Sequence, residues 1–185
     1  MSTESVHYLN VFLGLGVIAL QVLSVIALIS LFFVFRNGKR NSFLDFLDKH
    51  FLMLSFLISL FASVFPLVYS EIINFLPCNL CWWQRVFMFP APFLFGIALF
   101  DKDRRIIKYV ASLLSVGFLI TVYQNFFYYF GQNSNLPCDA TGVSCYQRLV
   151  SEFGGYISIP MMALAAFFGL LTLLAVTHFY PRKIQ

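Results

Sequence analysis

The sequence predicts an all-α membrane protein, a helical bundle of five transmembrane helices. Three observations carry this expectation. The chain of 185 residues is 60% hydrophobic and 11% charged, whereas soluble chains average about 25% charged residues. The apolar residues fall into five runs, each close to the roughly 20 residues that cross the hydrocarbon core of a bilayer. The lysines and arginines gather in alternate connections between those runs. A net charge of +4 is too small to point to nucleic acid, so the lipid bilayer is the expected surrounding. No separable soluble domain is visible, and the longest polar stretch is residues 131–157.

The first run covers residues 9–35 and follows an N-terminus without Lys or Arg. It is too long for the short apolar core of a cleaved signal peptide. Gln21, Ser24 and Ser30 within it are expected to face other helices as packing contacts. Residues 36–50 read as a loop carrying Arg36, Lys39, Arg40 and Lys49. Residues 51–70 form the second helix, and the Cys-rich segment follows. The third helix, 82–100, contains Pro90 and Pro92 and is expected to kink there. A charged turn at 101–108 leads to the fourth helix, 109–130, which ends in an aromatic cluster of Tyr123, Phe126, Phe127, Tyr128, Tyr129 and Phe130. Tyrosines at that end suit the interfacial belt. Pro160 sits at the start of the fifth helix, where proline is tolerated. Residues 146–156 are a candidate for a short interfacial helix.

Charge fixes the expected orientation, because Lys and Arg accumulate on the cytoplasmic side. The connection after helix one holds four basic residues, the connection after helix three holds Lys102, Arg104, Arg105 and Lys108, and the tail holds Arg182 and Lys183. With the N-terminus extracytoplasmic, all ten face the cytoplasm, and only Arg85 and Arg148 remain for the other side. The same arrangement places Cys78, Cys81, Cys138 and Cys145 together at the extracytoplasmic face, the compartment where disulfides persist.

Four cysteines allow three pairings. The local choice is Cys78–Cys81 with Cys138–Cys145. Spacing alone leaves open a redox couple, a set of inert staples, or a metal site built from all four thiolates. Arg85 favours the redox reading. If the helix begins near Cys81, Arg85 is its i+4 neighbour on the same face. A unit charge about 6 Å away at an effective dielectric near 20 interacts by at most roughly 3 kcal/mol. A helix N-terminus also favours a thiolate, so Cys81 is read as the thiolate of the pair. As an alternative, Arg85 is an interfacial anchor. Trp82 and Trp83 read either as belt residues or as an aromatic wall for a flat, lipophilic electron acceptor such as a quinone.

The run Pro77-Cys78-Asn79-Leu80-Cys81-Trp82-Trp83-Gln84-Arg85, with Met88 and Pro90 after it, resembles the DsbB family of membrane thiol:quinone oxidoreductases, including its BdbC-like branch. Pro137-Cys138, Cys145 and the run Ile157-Ser158-Ile159-Pro160 resemble that family's second loop and final helix. The resemblance covers roughly residues 50–180. It implies an enzyme that reoxidises a DsbA-like thioredoxin-fold protein and passes electrons to ubiquinone or menaquinone. By motif match, Cys81 would contact the quinone with Cys78 as its disulfide partner, and Arg85 would stabilise quinone and thiolate. Cys138 would take the mixed disulfide with the soluble partner, and Cys145 would exchange with Cys78. The chain departs from the family in two ways. It has an extra N-terminal helix, so the expected organisation is residues 1–50 for that helix and its loop and 51–185 for a four-helix core. Only six residues separate Cys138 from Cys145, as in the BdbC-like branch.

Three other function classes compete, of which a reductant-importing carrier would place cysteines within membrane helices, whereas all four here lie near the outer boundary. A vitamin K epoxide reductase-like protein does related chemistry, but its loop cysteines precede the Cys-x-x-Cys, whereas here they follow it. A non-catalytic membrane scaffold with structural disulfides would keep its cysteines permanently locked, whereas a recycling enzyme would accumulate thiols when quinone is withheld.

Overall fold

The structure, a computed structural model, describes residues 3–101, 104–130, 150 and 153–180. Among the described residues, six α-helices build five membrane-length spans. They are α1 (Thr3–Asn37), α2 (Ser42–Leu67), α3 (Asn79–Met88), α4 (Pro90–Asp101), α5 (Ile107–Phe130) and α6 (Ile159–Phe179). The five spans are long and apolar enough to cross a bilayer, so this is a multi-pass membrane protein, as expected.

The second span starts earlier than the sequence expectation, and the kink expected at Pro90 is present as a full break. Residues 42–50 are helical rather than loop, because Asn41 caps α2, its side chain accepting from the Phe43 N–H at 2.9 Å. The third span is broken in two at Phe89. Pro90 has no N–H to continue the ladder, and it opens α4 instead. The Phe89 N–H closes α3 on the Arg85 carbonyl at 2.8 Å. Among the described residues of 146–156, helical structure is limited to a 3-10 turn at Phe153–Gly155, with Phe153 and Gly154 in the left-handed region.

α6 is the centre of the bundle and packs on α1, α2 and α5. Its sequence explains this, since it is apolar all round and carries Ala165, Ala166 and Gly169 among its buried positions. Small residues let membrane helices approach closely, where lipid offers no hydrophobic drive for association. A Cβ at Gly169 would come within 2.9 Å of Leu20 on α1, and one at Gly117 on α5 would run into the Phe167 ring. The buried face of α2 carries Ser55, Ser59 and Ser63 at four-residue spacing. Ser63 returns its hydroxyl to the Ser59 carbonyl at 2.8 Å, satisfying a polar group inside the bilayer without a second helix. On α1 the buried positions Asn10, Ser24, Ala27, Leu31 and Val34 recur at helical spacing. Gln21 and Ser24 face inward as expected: Gln21 bonds Tyr156 and Met161, and Ser24 bonds the Leu20 carbonyl.

The basic connections lie together at one end. Arg40 pairs with Asp45, which also accepts from the Tyr180 hydroxyl at 2.9 Å. Arg104 grips Asp48 through its carboxylate at 2.7 Å and its carbonyl at 2.9 Å. The Cys-x-x-Cys segment sits at the opposite end of the same helices. Among the described residues, Arg40 and Arg104 of the basic connections and the Cys78–Cys81 pair thus lie at opposite ends of the bundle.

Candidate active site

The second span ends in a way that builds the site. Pro66 interrupts the α2 ladder, and residues Val68–Ile72 continue as a π-helix. The chain then reverses through Asn74 in left-handed backbone. Phe75 folds back, its N–H bonding the Tyr69 carbonyl at 2.9 Å and its ring stacking on Tyr69. This delivers Cys78 to the N-cap of α3 and Cys81 to its first turn. The helix begins at Asn79, three residues before the expected start at 82, so both sulfurs stand at its N-terminal end.

The two Sγ atoms lie 3.0 Å apart. A disulfide is about 2.05 Å long, so a bond between them needs only a small approach. Cys78 is buried and Cys81 half-buried. Arg85, one turn on, is 8% exposed. Its Nη2 donates to the Pro66 carbonyl at 2.9 Å, at the point where the helix ladder changes register. Its guanidinium lies 5.0 Å from the centroid of the Trp82 ring, a cation–π contact that helps hold a desolvated charge.

Two further residues complete the cluster. Gln84 is 7% and Gln124 1% exposed. Gln84 Nε2 donates to Gln124 Oε1. Gln124 Nε2 donates in turn to both Cys78 Sγ and Cys81 Sγ, each at 3.3 Å. In thiol–disulfide exchange the departing sulfur leaves as a thiolate, and an N–H aimed at both sulfurs stabilises that charge whichever one carries it. The sequence reading missed this pair. Gln84 stands in the motif with no expected role, and Gln124 lies inside the aromatic cluster at the end of the fourth helix. The signal was present, because an amide in an apolar membrane helix is costly unless bonded.

Cys78, Cys81, Gln84, Arg85 and Gln124 all line one cavity of about 700 Å3. That volume lies within the roughly 300–1,000 Å3 of small-molecule sites. Apart from this polar end, its walls are mostly apolar side chains of α1, α2, α3, α6 and the turn that precedes α3. Trp82 and Trp83 are not among the described residues that line it. They are 54% and 52% exposed on the outer surface, which fits the belt reading rather than the aromatic wall. The aromatic side chains on its walls are Phe12, Phe61, Phe65, Tyr69, Phe75, Phe89 and Phe167. Cys138, Cys145 and Arg148 lie outside the described residues.

The family described as Disulfide bond formation protein DsbB matches residues 48–177. The chain belongs to the DsbB family. Among its relatives, the SPbeta prophage-derived disulfide bond formation protein B of Bacillus subtilis is 37% identical over 119 residues, covering 64% of this chain and 79% of the relative. Disulfide bond formation protein C of the same organism is 38% identical over 122 residues, covering 63% and 84%. Probable disulfide formation protein C 2 of Bacillus anthracis is 31% identical over 135 residues, covering 73% and 95%. No solved structure matches the chain. The DsbB-family membership makes this a disulfide bond formation protein with thiol oxidoreductase chemistry.

Proposed function

We propose that the chain is a thiol:quinone oxidoreductase that reoxidises a DsbA-like thioredoxin-fold protein and passes the electrons to ubiquinone or menaquinone. The observation that carries this reading is the close Cys78–Cys81 pair opening on an apolar, membrane-embedded cavity beside a buried arginine. Cys78 and Cys81 are the couple that serves the acceptor, and the half-buried Cys81 is the sulfur nearer to it. Arg85 offers N–H donors to a quinone oxygen from one end of a cavity that otherwise suits a hydrocarbon chain. Cys138 takes the mixed disulfide with the soluble partner, and Cys145 exchanges with Cys78. The N-terminus and both cysteine segments are extracytoplasmic, and the basic connections are cytoplasmic.

The electron count closes. A reduced partner dithiol gives two electrons and two protons to the Cys138–Cys145 disulfide, leaving the partner oxidised. Exchange with Cys78–Cys81 restores the loop disulfide and leaves both thiols of the inner pair reduced. That pair then forms its disulfide as a quinone becomes a quinol.

The purified full-length chain, mixed with a reduced thioredoxin-fold oxidant, is expected to consume dithiol and form quinol one for one. No consumption is expected without quinone. Dithiol loss that proceeds equally without any quinone contradicts the reading. Arg85→Ala is expected to raise the KM for quinone more than the KM for the soluble partner. Arg85→Lys is not expected to restore it, because a point ammonium cannot both reach the Pro66 carbonyl and stack on Trp82. Equal loss on both substrates would return Arg85 to an anchoring role.

A further inference from the structure

The family match begins at residue 48, so α1 lies wholly outside it. Nothing in the sulfur chemistry calls for this helix, yet it contributes a wall of the cysteine cavity. Phe12, Leu15, Gly16, Ala19 and Leu20 of α1 line it, facing Phe61 and Ala62 of α2. α1 packs along α6 but barely touches α2. A slot therefore remains between α1 and α2, floored by Pro160, Ala163 and Ala166 of α6. Small residues keep the slot open. A Cβ at Gly16 would meet nothing within 4 Å. Phe12, Leu15 and Phe61 line the cavity and are also 71%, 55% and 55% exposed, so the slot opens sideways into the hydrocarbon.

The helix is held in register at the sulfur end. The Tyr69 hydroxyl donates to Asn10 Oδ1 at 2.5 Å in a buried contact, and Tyr69 is the residue on which Phe75 stacks just before Cys78. Gln21 accepts from the Tyr156 hydroxyl at 2.9 Å. These bonds fix α1 as a wall rather than leaving it loosely associated in the lipid.

We infer that α1 forms one side of a channel for the isoprenoid tail of the quinone, and that this side selects among quinones by their tails. The inference rests on the quinone reading above. The cavity has its polar groups at one end and hydrocarbon along the rest, the shape of an amphiphile with a small polar head and a long apolar tail. Bilayer lipid is as apolar as the slot, so the tail gains little from leaving lipid. The wall therefore acts by shape. It admits a tail that fits, and a side chain filling the slot excludes one.

The test uses the full-length chain in lipid nanodiscs with a long-tailed quinone and with the corresponding tail-less head group. Gly16→Trp is expected to raise the KM for the long-tailed quinone, relative to the head group, on the order of tenfold or more, the scale of steric misfit in an apolar pocket. Leu23→Trp changes an exposed α1 residue away from the slot and is expected to keep the wild-type ratio. An unchanged ratio in Gly16→Trp overturns the inference while leaving the quinone reading intact. Failure of the wild type to reduce either quinone overturns both. Should Gly16→Trp not fold, a quinone carrying a photoreactive group on its tail decides the matter in the wild type. Labelling of α1 around Phe12, Leu15 and Ala19 supports the channel, and labelling confined to α2 and α6 overturns it.

Discussion

Cys81→Ser is expected to abolish quinone-dependent oxidation of a dithiol partner, and Cys78→Ser is expected to do the same. Serine preserves the volume and hydrogen-bonding capacity of the site, so the Gln84–Gln124 contact and the turn at the head of α3 should survive. What is lost is the second sulfur. With its partner Sγ 3.0 Å away, each cysteine has the other as the one further cysteine among the described residues. A single remaining thiol cannot deliver two electrons by forming an internal disulfide. The two variants should differ in what they trap. Cys78→Ser leaves the acceptor-side sulfur without a partner, whereas Cys81→Ser leaves the exchange-side sulfur free to form a lasting mixed disulfide. Quinol formation by steady-state absorbance checks the loss, and non-reducing electrophoresis checks the trapping. Full activity in either variant would remove this pair from the electron path.

Gln124→Leu is expected to slow quinone-dependent turnover by about 10- to 100-fold, with little change in the KM for the soluble partner. Two effects combine. The N–H that both sulfurs share is removed, and Gln84 is left with a buried amide that has lost its acceptor. Losing a buried partner costs about 1–3 kcal/mol, which as a barrier corresponds to that range of rates. The double variant Gln84→Leu, Gln124→Leu separates the causes. Replacing both partners by apolar groups is mild for stability, so the fold should recover. Turnover should stay low, because no donor faces the sulfurs. Recovery of turnover along with stability would make the amide pair purely structural.

The charge and hydropathy pattern made most of the architecture legible. Five spans follow from runs of apolar residues, and the segregation of basic connections from the cysteines follows from where Arg40, Arg104 and Cys78 fall along the chain. The first turns of helices were harder to read. Asn41 caps α2 well before the apolar run becomes continuous, and residues 42–50 carry enough charge to look like a loop. The Cys-x-x-Cys-x-x-x-Arg spacing pointed directly to three of the site residues. Gln124 escaped because it is remote in sequence and reaches the sulfurs only once α5 packs beside α3. The role of α1 was hidden for a similar reason. Its sequence shows an apolar helix with small residues, and only its placement on α6, standing off from α2, turns Gly16 and Ala19 into the lining of a cavity.

Electron transfer from the Cys78–Cys81 pair to a lipid-soluble acceptor inside the bundle can be isolated in the full-length chain carrying Cys138→Ala and Cys145→Ala, reduced and freed of reductant under anaerobic conditions. Thiols are counted by alkylation mass shift, and quinol is read by absorbance, before and after quinone is added. Loss of both thiols with one quinol formed per chain is the expected result. Two thiols persisting beside unreduced quinone would contradict it.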